Sequence, residues 1–61
     1  MEVYLTYDEY GVVQGVFSTG ALAIKWVRGN RREFLLSYRG ELTVERLIRL
    51  GVIDKFILEV G

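Results

Sequence analysis

Sixty-one residues, 51% apolar and 13% aromatic, suffice for one small packed domain and leave no room for a second. With no Cys and no His, disulfides, thiolate or imidazole metal sites and His- or Cys-based nucleophile activation are excluded. Eight basic against eight acidic side chains give a net charge of zero, which argues against a binder held to nucleic acid or anionic membrane by bulk electrostatics and leaves little repulsion between copies.

Glu2-Val3-Tyr4-Leu5-Thr6-Tyr7 alternates, and the spacing predicts a half-buried strand with Val3, Leu5 and Tyr7 inward and Glu2, Tyr4 and Thr6 outward. Asp8-Glu9-Tyr10-Gly11 supplies a turn-starting Asp and a Gly for left-handed backbone. A second strand, Val12 to Phe17, is therefore expected to run back antiparallel to the first. Gly15 within it has no side chain to pack, the mark of a bulge or of a large ring close by, and Trp26 is the ring in view. Ser18 or Thr19 then caps a helix containing Ala21, Leu22, Ala23, Ile24, Trp26 and Val27, which closes at Gly29-Asn30. Its apolar residues point in more than one direction. A sheet can cover one side, and the other meets either a second copy, a partner or the next helix.

Arg31 to Tyr38 reads as a third strand with Phe34, Leu36 and Tyr38 on one face. Arg39-Gly40 turns the chain, and Thr43 caps a two-turn helix from Val44 to Leu50 that turns Val44, Leu47 and Ile48 inward and Glu45, Arg46 and Arg49 to water. Gly51 ends that helix in left-handed backbone. Val52 to Val60 returns as the last strand, with Phe56, Leu58 and Val60 sharing one face and Ile53, Lys55, Ile57 and Glu59 the other, mixed one. The expected fold is α+β: residues 1–61 form a single domain in ββαβαβ order, a four-stranded sheet with two short helices on one face and its strand order left open.

The carboxylate pairs Asp8-Glu9, Glu41-Glu45 and Asp54-Glu59 are the groups that suggest acid–base work, yet the turn, the first helical turn and the outward strand position account for them. No catalytic residue, metal or cofactor is expected, and the chain does not read as an enzyme. Ser18-Thr19-Gly20 at a strand-to-helix junction offers N–H groups to a phosphate, but one Gly lacks the spacing of a phosphate-binding loop, and capping explains it. Lys25, Arg28, Arg31 and Arg32 gather four cations around the end of the first helix, beside Trp26 and opposite the acidic hairpin Asp8-Glu9. They complement the helix dipole and can also meet phosphate or an acidic protein surface. Tyr4 and Tyr10, expected to face outward, are candidate contact residues because Tyr is enriched in interfaces, whereas Tyr7 and Tyr38 belong to the core on this reading.

Val3-Tyr4-Leu5, Tyr10, Gly15-Val16-Phe17-Ser18-Thr19 and Ala23 give the first 27 residues a resemblance to small uncharacterised proteins of phages and mobile elements, which share a strand ending in G-V-F-S and a following helix that carries Ala. That resemblance implies an accessory or host-takeover protein, such as an inhibitor of a host defence system, acting by stoichiometric binding. It transfers no catalytic residue. The expected function is a non-enzymatic protein-interaction module, homodimeric, whose sheet face or first helix presents Tyr4, Tyr10, Trp26, Lys25, Arg28, Arg31 and Arg32 to itself or to a host protein. The alternative is a nucleic-acid or nucleotide binder using the same four cations. No apolar run approaches the ~20 residues of a bilayer span, and Met1-Glu2-Val3-Tyr4 lacks a secretory pattern. The expected location is the cytoplasm, the host's if the chain is viral, without a membrane partner.

Overall fold

The computed structural model describes residues 1–59. Along the chain come β1 (Glu2–Tyr7), β2 (Val13–Phe17), α1 (Gly20–Asn30), α2 (Arg32–Ser37), α3 (Val44–Arg49) and β3 (Ile53–Ile57). β1 is central, and β2 and β3 pair with it antiparallel on either side. The class is α+β, but the expected four-stranded sheet in ββαβαβ order does not form. Among the described residues the sheet has three strands, and three short helices, not two, lie between β2 and β3. The predicted end of the last strand, at Val60, lies outside the described residues.

The hairpin forms as its turn chemistry requires. Asp8 Oδ1 accepts the N–H of Tyr10 at 2.8 Å and of Val12 at 2.9 Å, Oδ2 accepts Gln14 Nε2 at 2.9 Å, and Gly11 takes φ 81°. The helix caps also hold: Thr19 Oγ1 accepts the Leu22 N–H and Thr43 Oγ1 that of Arg46, each at 3.2 Å. Gly51, at φ 79°, ends the turn after α3.

The predicted third strand is the helix α2. Phe34-Leu35-Leu36 contains no β-branched residue, Glu33 sits in the first turn where a carboxylate suits the dipole, and a period of 3.6 brings Phe34 and Tyr38 together with ring centroids 5.1 Å apart. Leu36, assigned to the core on the strand reading, is 80% exposed.

The alternation expected in β1 and β3 is present, but the inner face is the opposite one. Tyr4 is only 9% exposed and Thr6 is fully buried, and the core consists of Tyr4, Ala23, Val27, Leu47, Val52 and Ile53. Register explains the choice: Thr6 lies between Gly15 and Ile53, and Tyr4 between Phe17 and Lys55. Thr6 and Gly15 are small, as is Ala23 on the helix, so α1 can lie close to the sheet only on this side. A Cβ on Gly15 would stand 2.6 Å from the Phe17 ring and 2.9 Å from Thr6 Oγ1. The ring that requires this glycine is therefore that of Phe17, not Trp26, and the register shifts beside it, between Thr6 and Tyr7, as at a bulge.

Candidate interaction surfaces

α1 and α3 occupy one face of the sheet, where their Ala23, Val27 and Leu47 join Tyr4 and Ile53. Val3, Leu5 and Tyr7 of β1, Val13 and Val16 of β2 and Phe56 of β3 share the other face by alternation and register. No described helix covers them: Val16 is 61% and Phe56 45% exposed. The surface continues past the strand ends, where Leu58 N–H donates to Met1 O at 2.7 Å and brings two more exposed apolar side chains onto it. Among the described residues of these paired strands, Asp54 is its one charged group. The Tyr7 hydroxyl lies 3.4 Å from Asp54 Oδ2 as a donor, and burial, then the Asp54 charge, hold the phenol above its usual range. With side chains of this size the exposed parts amount to on the order of 600 Å².

The residues singled out from the sequence are scattered. Tyr4 does not face outward as expected; it belongs to the core, with its hydroxyl 3.3 Å from Glu2 Oε2. Tyr10 stands 82% exposed at the hairpin tip. Trp26 is half-buried against the core, and Lys25, Arg28 and Arg32 are exposed. Arg31 is not a free cation. Its Nη1 donates to Tyr7 O at 2.7 Å, its Nε pairs with Glu33 Oε1 at 2.7 Å, and its guanidinium carbon lies 5.9 Å from the Phe34 ring centroid. It ties the hairpin to α2. Nor does it lie opposite the acidic hairpin: the Asp8 carboxyl is held below its ordinary value mainly by the Val12 N–H, with the Arg31 charge contributing. Glu33 is lowered too, first by the hydrogen bond from Arg31.

A second feature lies at the far end of α3. Tyr38, Arg46, Arg49 and Leu50 line a hollow of about 200 Å³. Tyr38, expected in the core, is half-buried at its rim, its hydroxyl donating to Glu41 O at 2.6 Å. By sequence pattern Arg46 and Arg49 are solvated helix positions. Their spacing of three, which puts both on one side of a helix, was the available signal. Among the described residues no group of three or more carboxylates could hold a metal, and no helix is long and apolar enough to cross a membrane.

Fold and surfaces define a small α+β domain whose three-stranded antiparallel sheet is covered on one face and bare on the other. No family model matches the chain, and no curated protein or solved structure matches it.

Proposed function

We propose that the chain is a non-enzymatic protein-interaction module that self-associates by stacking the bare sheet faces of two copies. The single observation carrying this reading is that exposed apolar face. About 600 Å² from each copy would bury about 1,200 Å², the lower end of the range for stable interfaces. The face is mostly apolar, with the Asp54 carboxylate and the Met1 amino terminus as its charges, so a copy of itself is the complementary surface, and two antiparallel sheets packed face to face are a common solution.

Support for the non-enzymatic part comes from the structural roles of four carboxylates. Asp8 holds the hairpin turn, Glu2 pairs with Lys55 at 3.2 Å, Glu33 pairs with Arg31, and Asp54 accepts from Tyr7. The resemblance of residues 1–27 to phage and mobile-element proteins supports a stoichiometric accessory binder in the cytoplasm, the host's if the chain is viral. Tyr10, Lys25, Arg28 and Arg32 are then its contacts to a host protein, and the engagement of Arg31 weakens the nucleic-acid alternative.

Sedimentation over a wide concentration range tests the dimer. The wild type is expected to sediment as a dimer. Val16→Glu, which puts a carboxylate in the middle of the face, is expected to sediment as a monomer with an unchanged far-ultraviolet spectrum. A wild type that stays monomeric throughout overturns the reading, as does a Val16→Glu chain that still dimerises.

A further inference from the structure

Arg46 and Arg49 differ from Arg31 and Arg39 in being unengaged, and from the equally unengaged Arg28 and Arg32 in lining a hollow. Arg31 is consumed by Tyr7 O and Glu33, and Arg39 turns its Nη1 back to the carbonyls of Leu36 and Tyr38, at 3.4 and 3.3 Å, where it caps the end of α2. Among the described residues, the ion pairs are Arg31 with Glu33 and Lys55 with Glu2, and neither Arg46 nor Arg49 makes a side-chain hydrogen bond. Both lie in the last turn of α3, where a cation complements the partial negative charge of the helix end.

The groups around them are fixed in place. The Tyr38 ring packs against Phe34 and its hydroxyl is held by Glu41 O. Gly40, at φ 111°, leaves the space that the Arg46 guanidinium occupies, since a Cβ there would collide with Arg46 Nη1. The hollow so formed, about 200 Å³, is lined by the two arginines and by Tyr38 and Leu50. A cavity of about 150 Å³ accommodates benzene, whereas pockets for larger organic ligands run from about 300 Å³ upward. The space therefore suits one ring with a small anionic head. Paired guanidinium groups favour an oxyanion that can accept several hydrogen bonds at once.

From this we infer that the hollow is a binding site for a small phosphomonoester carrying a single ring, with the phosphate on Arg46 and Arg49 and the ring against Tyr38 and Leu50. The site is independent of the bare sheet face.

Amide NMR titration of the full chain with phenyl phosphate tests it, with inorganic phosphate and benzoate as parallel probes. Phenyl phosphate is expected to bind saturably, shifting the amides of Tyr38, Gly40, Arg46, Arg49 and Leu50. Inorganic phosphate, without the ring, and benzoate, with fewer acceptor oxygens, are each expected to bind several-fold more weakly. Arg46→Gln and Arg49→Gln, both at exposed positions, are each expected to weaken phenyl phosphate about tenfold, the loss of one charge-assisted contact. The amide spectrum itself reports whether each variant is folded. Shifts that never saturate overturn the site. So do shifts that spread equally to Lys25, Arg28 and Arg32, or an affinity unchanged in the double variant. Binding by inorganic phosphate as tight as by phenyl phosphate removes the ring subsite and overturns the assignment of ligand class.

Discussion

The two faces of this sheet differ in the opposite sense from the one that hydrophobic alternation suggests. The covered face holds a buried Thr6, the side-chain-free Gly15 and, at its end, the Lys55–Glu2 ion pair; the bare face carries Val3, Leu5, Val13, Val16 and Phe56 with one carboxylate. Apolar content alone would put the helices on the second face. They lie on the first because close packing depends on shape, and only there do small residues let Ala23 and Val27 approach the strands. Surplus apolar surface on the other side is then the part of the molecule left for association.

The sharpest way to break this contrast is to remove bulk from each face in turn. Leu47→Ala, at a fully buried position, is expected to cost about 2–5 kcal/mol and to unfold much of the population. Val16→Ala on the bare face is expected to leave the unfolding free energy of the dilute, monomeric chain, measured with urea, within about 0.5 kcal/mol of wild type, as for a surface position. Similar losses at both positions would mean that the bare face is core.

A smaller effect is expected at Gly15. Gly15→Ala drives a Cβ into the Phe17 ring and Thr6 Oγ1, with an expected loss of about 1–3 kcal/mol. Phe17→Leu in the same chain is expected to recover part of that loss, because the ring is the obstacle, and a double-mutant cycle by urea denaturation measures the coupling. Trp26→Leu, by contrast, is expected to show no coupling to Gly15→Ala.

The smallest effect concerns the hairpin joining β1 to β2. The Asp8 carboxyl is held below the ordinary aspartate range, first by the Val12 N–H and then by the Tyr10 N–H, Gln14 and Arg31. A folded-state pKa below the unfolded one means that this carboxylate contributes stability above the unfolded value and that the contribution is lost as pH falls through the lowered folded value. Glu33, lowered by Arg31, acts in the same direction. Wild type is therefore expected to lose stability below about pH 4, and Asp8→Asn to lose less over the same interval. Thermal melts at neutral pH and at pH below the Asp range make the comparison. An equal acid loss in both chains would remove Asp8 from the account.

Local chemistry was legible in the residues themselves. Asp8 with Gly11 dictates a tight hairpin, Thr19 and Thr43 cap their helices, and Gly51 ends α3, because each is settled by groups a few residues apart. Two signals failed for the same reason. Arg31 to Tyr38 fits a strand's alternation and a helix's period equally, and the contact of Phe34 with Tyr38 and the anchoring of Arg31 on Tyr7 O decide for the helix. In β1, alternation separates Val3, Leu5 and Tyr7 from Tyr4 and Thr6 but carries no information about which set the helices will meet. That choice waits on Gly15 and Ile53 arriving beside Thr6 and on the room they leave for α1. The bare face, the burial of Tyr4 and the hollow beside Arg46 and Arg49 are likewise products of segments distant in sequence coming together. The sequence by itself determined the turns, the caps and an α+β composition of elements. Only the tertiary structure decided which side of the sheet became core, since that depends on volumes matched across the chain and not on the pattern within any one strand.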